Sequence, residues 1–160
     1  MSELLKLNIQ FFGREKNAKT EYYVGAVPED GTEEVEWLRL AKWISSVTDD
    51  TEEEVEDMAF YDGDGTPEDD VISVKKTYAF EGMYDDEIEA MKFIAGLEFE
   101  TGENRKIMFK QVRTNGDALE GRATVIDPKV TGGEAQEYAA FECSISWDRR
   151  PEKTSEEDTP

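Results

Sequence analysis

The densest run of reactive side chains is Asp49 to Asp57, DDTEEEVED, with seven carboxylates in nine residues. Paired carboxylates can do acid/base chemistry, but that needs an apolar pocket or a charged partner to push one pKa away from the other. This block has neither, so it reads as a solvated surface rather than a catalytic pair. A second candidate is the loop Asp62 to Asp70, DGDGTPEDD, in which Asp62, Asp64 and Thr66 match the first, third and fifth ligand positions of a calcium-binding EF-hand loop. The match stops there, because the sixth place, which requires glycine, is Pro67, the twelfth is Ser73, and no helical pattern flanks the loop. A solvated turn is the expectation. The chain has no histidine, which removes the usual general base, the usual zinc ligand and every Ser-His or Cys-His arrangement. The lone Cys143 sits in the alternating run FECSISW and reads as a small core residue in a reducing compartment. No phosphate-binding glycine loop, Cys-x-x-Cys pair or nucleophile elbow is present, so no enzyme activity, cofactor or metal is expected.

The elements that would carry these groups are mostly strands. Hydrophobic residues make up 38% and aromatics 11% of the 160 residues, enough for one folded domain despite a net charge of −21. With 39 acids against 18 bases, the chain is expected to repel DNA, RNA and anionic membranes. The opening MSELLKLNIQFFG is broken by Glu3, Lys6 and Asn8 and reads as neither signal peptide nor membrane span, so synthesis in the cytoplasm is expected.

Residues 1–35 read as an N-terminal arm, because the apolar patch Leu4, Leu5, Leu7, Ile9, Phe11 and Phe12 is followed by the polar run REKNAKTE and the loop PEDGTEE. Such an arm either folds back as an edge strand or docks on a neighbouring copy, and the apolar patch favours docking. The domain proper is expected over 36–147. Glu36 to Val47 is read as a strand, and Glu53 to Tyr61 as the strand that pairs back on it through the turn TDDTEE. The loop DGDGTPEDD follows, then a strand over Val71 to Glu81.

One helix is predicted over Asp85 to Leu97, its regular part at about 86–95. Asp86 and Glu89 have the spacing of a capping box, Ile88, Met91, Ile94 and Ala95 form one apolar stripe, and Gly96 suits a left-handed stop. Three strands follow, Arg105 to Arg113, Leu119 to Val130 and Glu137 to Trp147, joined by the short turns TNGD and TGGEA. Short turns between successive strands mean antiparallel pairing. The fold class is therefore mainly β with some α: an antiparallel β-sandwich or barrel-like sheet with one flanking helix. Residues 148–160 lack apolar side chains and read as a disordered acidic tail. Mobile segments are expected at 1–35, 45–54 and 148–160 of a largely monomeric protein.

The runs FYDGDGTPEDDVISVKKTYAFEGMYDDEIEAMKFIAGL, TGENRKIMFKQVRTNGD and ATVIDPKVTGGEAQEYAAFECSISWD, in that order between Trp37 and Trp147, resemble the major tail (tail tube) proteins of long-tailed bacteriophages and prophages. The resemblance implies subunits that pair their sheets into hexameric rings and stack the rings into a hollow tube in the virion tail. It also implies a tape-measure protein and baseplate or terminator proteins as partners, with DNA passing through unbound. On that reading Asp49, Asp50, Glu52, Glu53 and Glu54 belong to a hairpin facing the lumen or the next ring, and Leu4, Leu7, Ile9, Phe11 and Phe12 to an assembly arm. The alternatives are a tail terminator or connector of the same fold, and a DNA-mimic inhibitor of a nucleic-acid-binding enzyme. Against the mimic, the carboxylates cluster in loops instead of lining one face of an element.

Overall fold

The computed structural model describes residues 14–29 and 34–154. Ten strands and one α-helix are formed among the described residues: β1 Glu21–Gly25, β2 Leu38–Arg39, β3 Ile44–Asp49, β4 Glu52–Met58, β5 Glu68–Lys75, β6 Thr77–Met83, α1 Glu89–Ala95, β7 Lys106–Val112, β8 Ala118–Lys129, β9 Ala140–Trp147 and β10 Glu152–Thr154. Eight of the strands make one antiparallel sheet in the order β2-β1-β7-β8-β9-β6-β3, with β10 added on β8. Among the described residues, strands β4 and β5 pair only with each other.

Alternation explains the sheet. In β7 the side chains of Ile107, Phe109 and Gln111 are buried and those between them are partly open; in β9 Phe141, Cys143 and Ile145 are buried in the same way. A sheet with one apolar face has to cover it, and this one curls on itself into a half-barrel. Strands β1 and β6 lie far apart in the sheet order, yet Tyr22 of β1 meets Phe80 of β6 edge-on at 5.1 Å between ring centres, and Phe109 lies 4.9 Å from Trp147. The core therefore sits inside the curl, with α1 closing one end through Ala90, Met91 and Ile94, all fully buried. Burying Met91 and Ile94 is worth about 1.5–3 kcal/mol each. Cys143 is buried in that core, and burial pushes its thiol up to about 12, so it carries almost no thiolate near neutral pH.

Several boundaries differ from the sequence reading. The helix begins at Glu89, and no capping box forms. Asp85 Oδ1 accepts the Glu87 N–H at 2.9 Å, Asp85 Oδ2 accepts the Trp43 indole N–H at 2.9 Å, and Asp86 Oδ1 accepts the Tyr84 hydroxyl at 2.9 Å. Both carboxylates are thus committed to the turn before the helix, and the residue at the helix start is Ile88, extended at φ −84° with no side-chain cap. Ile88 and Ala95 are half-buried beside the core. Gly96 ends the helix at φ −64°, a right-handed conformation, not the left-handed stop expected of it.

The arm expected over residues 1–35 is shorter than that, because β1 belongs to the body: it pairs with β7 over Glu21 to Gly25 and its Val24 is fully buried. The polar run before it is only a linker with a single 3-10 turn at Asn17–Lys19. Leu4, Leu7, Ile9, Phe11 and Phe12 lie outside the described residues. At the other end, Glu152–Thr154 is a strand on β8, not part of a tail, because main-chain pairing needs no apolar side chains and β8 offers an open edge there. Lys153 adds an ion pair to Asp117 at 3.2 Å. The hairpin through TDDTEE is also corrected. Strand β3 pairs with β6, and β4 pairs with β5, so residues 45–54 hold two strands in place of a mobile turn.

The chain enters β3 through a tight corner. Trp43 adopts φ 67°, which a bulky residue rarely does, and is held there by its indole bond to Asp85 and by its carbonyl, which accepts the Met83 N–H at 2.9 Å.

Candidate assembly surfaces

Three surfaces stand out once the fold is built. The first is the β4–β5 hairpin, in which the expected strand Val71 to Glu81 divides: Glu68–Lys75 runs in the projecting hairpin and Thr77–Met83 in the main sheet. Every residue of β4 and β5 is exposed. Register puts Val55 opposite Val71 and Glu53 opposite Val74, so these valines share one face, with Ile72 at the bulge beside them. The other face carries Glu52 opposite Lys75, Glu54 opposite Ser73, and Glu56 opposite Asp70. Seven of the eleven exposed large hydrophobic residues among those described lie between Val55 and Val74, including Phe60 at 63% and Val74 at 57% exposure. A two-stranded hairpin with exposed valines set among the acids Glu53, Asp57 and Asp69 on one face is marginal alone in water and points to a partner.

The loop DGDGTPEDD is the tip of this hairpin. Asp64 Oδ1 accepts the Thr66 N–H at 2.9 Å, and Gly65 supplies the left-handed residue at φ +86°. Asp49, Asp50, Glu52, Glu53 and Glu54 are not in one turn. Asp49 ends β3, Asp50 donates its N–H to Thr77 O at 2.9 Å, and the three glutamates begin β4. At this root Lys76 Nζ meets Asp49 Oδ2 at 2.5 Å; the hydrogen bond from Lys76 holds the Asp49 carboxyl below its ordinary range and raises the ammonium. Both groups are over a third exposed, so the pair adds at most a few tenths of a kcal/mol to about 1 kcal/mol.

Ten acids against Lys75 alone give residues 52–75 a net −9 of the chain's −21. Directly opposed acids repel, and Asp57 faces Asp69. Hydrogen bonding to the Asp69 carboxyl raises the Asp57 pKa. The folded hairpin therefore holds this proton more tightly than the open one, so its stability falls as pH rises through the raised Asp57 value and grows as pH drops. Acidification from neutral pH to about pH 4, near the ordinary carboxylate range, should increase amide protection in β4 and β5. Asp57→Asn should raise protection at neutral pH and flatten that dependence.

The second surface is the outer face of β3, β6 and β9. Register aligns Thr77 with Ser146, Ala79 with Ser144 and Thr48 with Ala79, a patch of small, mostly hydroxyl side chains. One row crosses it as Lys129, Glu142, Glu81 and Ser46. Lys129 is the base in that row; Arg39 and Lys110 lie elsewhere, flanking Tyr23 on the outer face of β2, β1 and β7, where the Lys110 ammonium lies 5.7 Å from the Tyr23 ring and 5.6 Å from that of Trp37.

The third surface is a pair of open sheet edges. Among the described residues, strand β3 ends the sheet with no partner on its outer side. Because Asp50 bonds Thr77, alternation makes 48/79 the next bonded pair and turns the amides of Val47 and Asp49 outward. Strand β8 is covered by β7 only up to Thr124, so Val125 to Lys129 have an open side. Arg105 closes part of it, donating to Val125 O at 3.3 Å and to Glu98 O at 2.9 Å, and a bulge at Asp127 (φ 49°) and Pro128 shortens it further. No cluster of metal-ligating side chains is found, and no helix is long and apolar enough to cross a membrane, among the described residues.

No protein-family profile matches the chain, and no curated protein sequence does. Solved structures do. The chain superposes on a protein of the tail of an empty gene transfer agent particle, refined with C6 symmetry, at TM-score 0.64 and 10% identity over 89% of this chain and 100% of that one. A protein of the native gene transfer agent virion matches at TM-score 0.63 and 11% identity over 89% and 100%. The tube-terminating cap of the anti-feeding prophage matches at 0.53 and 13% over 92% and 95%. The curled antiparallel sheet with its flanking helix is a tail-tube-like fold, of the kind found in these tail structures.

Proposed function

We propose that the chain is a structural, non-enzymatic subunit of a virion tail whose copies join side by side into rings, six to a ring, and stack into a tube. The observation that carries this is the hairpin of β4 and β5, a projecting element that exposes Val55, Val71 and Val74 on one face and has no partner among the described residues. Its exposed valines support contact with the next ring, so Asp49, Asp50, Glu52, Glu53 and Glu54 serve the inter-ring hairpin and its root more than the lumen. Sideways, the open edge of β3 pairs with the exposed stretch of β8 on the next copy, which makes β3, β6, β9 and β8 one stave of a continuous barrel. Tape-measure, baseplate and terminator proteins are its further partners.

On this arrangement the small-residue face of β3, β6 and β9 lines the bore. DNA must slide without sticking, and each phosphate neutralised by Lys or Arg adds affinity by counterion release. Hydroxyls with Glu81 and Glu142 limit that to Lys129, which stands opposite Glu142 in the same row, and screening over roughly 8 Å at physiological salt keeps the repulsion short-ranged. The double variant Glu81→Lys, Glu142→Lys should assemble and then retain DNA. Ejection by particles carrying it is expected to slow by at least tenfold at low salt and recover as salt rises. Unchanged ejection would remove this face from the bore.

The likeness to a tube-terminating cap supports a second reading, a terminator of the same fold. Purified chain that forms long tubes by itself selects the tube; single rings that bind only tube ends select the terminator.

A further inference from the structure

Beside β3 lies a groove of about 830 Å³. Its floor includes Tyr22, Ile44 and Val47, which pack on the core yet remain half-open to solvent. Its rim carries Arg39, Lys76 and Arg113 against one carboxylate, Asp49, a local excess of bases in a chain of net charge −21. Two of these bases are engaged, since Arg39 pairs with Glu21 at 3.4 Å and Lys76 with Asp49 at 2.5 Å. Arg113 forms no ion pair among the described residues; its Nε donates to Gln111 Oε1 at 3.4 Å. An apolar floor with an unpaired guanidinium at its rim suits an aromatic side chain flanked by carboxylates.

The segment Glu98-Phe99-Glu100 has that chemistry. Phe99 is 91% exposed, more than any other large hydrophobic residue outside the hairpin among those described. Its backbone is nevertheless fixed. Leu97 packs on the core, the Glu98 N–H bonds Ala95 O at 3.2 Å, and the Glu100 N–H bonds Leu97 O at 3.0 Å. Arg105 fastens both flanks, its guanidinium donating to Glu98 O at 2.9 Å, to Glu100 O at 2.8 Å and to Val125 O at 3.3 Å. Val125 begins the open stretch of β8, so Phe99 is presented beside that edge in an order that binding need not create.

We propose that Phe99 of one copy anchors the side-by-side contact by seating in the groove beside β3 of the next copy, with Glu98 and Glu100 facing that copy's Arg113. The proposal rests on the ring reading given above, in which β3 meets β8 of a neighbour. Antiparallel pairing of β3 with β6, β6 with β9 and β9 with β8 makes β3 and β8 run in opposite directions. Copies related by rotation about the ring axis keep that relation, so the two edges meet antiparallel, and Phe99 and the groove flank the same seam. Within one subunit β9 and β6 separate the two edges, so the site is complete only when a second copy supplies Phe99.

The test replaces Phe99 by the photo-reactive benzoyl-phenylalanine in the full chain, irradiates it from dilute solution up to the highest soluble concentration, and maps the links by mass spectrometry. Mixing isotope-labelled with unlabelled chains separates links between copies from links within one. Links between copies at Tyr22, Ile44 or Val47 support the proposal. Links between copies that fall only elsewhere overturn it, as do links confined to one chain or no links at all. Phe99→Ala should weaken association by at least about tenfold in light scattering, at an unchanged thermal midpoint because the side chain is open in the single subunit. Arg113→Glu should weaken it as well, and adding Glu100→Arg to that chain should recover much of the loss. Association equal to wild type in Phe99→Ala overturns the proposal. Tubes that form without a link in the groove remove the anchor and leave the tube reading intact, whereas groove links between copies that stop at pairs keep the anchor and remove the tube.

Discussion

Replacing residues 52–75 with a short Asn-Gly turn is expected to leave a folded, soluble monomer that no longer assembles. Strands β4 and β5 are exposed along their whole length and give no residue to the buried core. Their removal should therefore change the stability of the body by no more than about 1 kcal/mol. The loss on assembly is much larger. Val55, Val71, Ile72 and Val74 are each about half exposed, and covering what remains open is worth roughly 1 kcal/mol apiece. One docked hairpin then supplies on the order of 4 kcal/mol, close to a thousandfold in association, and a ring engages several hairpins at once. Sedimentation would show only monomer for this variant under conditions where the wild type forms large particles. The substitutions Val55→Thr, Val71→Thr and Val74→Thr keep the strand shape and should weaken assembly by one to two orders of magnitude, at the same thermal midpoint.

Gly82→Ala is expected to be the most damaging single change to the fold. A Cβ at this position would lie 2.0 Å from the Trp43 carbonyl oxygen and 2.9 Å from Ile44 Cα, both backbone atoms that cannot swing aside. Relief would require opening the β3–β6 pairing at Ile44 or the Trp43 corner, losing the Met83 N–H bond and the indole bond to Asp85. A cost of about 3 kcal/mol or more follows, a large share of the stability of a domain this size. Urea denaturation should show the midpoint fall without a change in slope, and Gly65→Ala at the hairpin tip, where nothing lies within 4 Å, should move the body's midpoint little.

Much of this architecture could be read from the chain before folding. Alternation in RKIMFKQVR and FECSISW marks β7 and β9 because a half-buried sheet imposes a period of two. The apolar residues of the helix were visible for the same reason at a period of 3.6. What was not legible depends on contacts distant in sequence. Asp85 looks free to serve the helix, but Trp43, forty-two residues earlier, takes one of its oxygens. The pairing of β3 with β6, and not with β4, sets Val47 opposite Phe80 and continues through Thr48 and Asp49, the first residues of TDDTEE, before the chain leaves the sheet. The short EYYVG reads as part of an arm until Tyr22 is seen against Phe80. The assembly surfaces were partly legible: the acid-rich segments were plain, but the valines that share a face with them emerge only from the β4–β5 register and its bulge.

The arrangement of copies is tested most directly by electron cryo-microscopy of particles grown from the purified full chain. Hollow stacked rings are predicted, with β3 of one subunit hydrogen-bonded to β8 of the next, the β4–β5 hairpin seated on the adjoining ring, and Glu81 and Glu142 facing the bore. Rings in which β3 stays unpaired and the hairpin points into solvent would contradict the account, as would a chain that remains single at every concentration and is missing from tails.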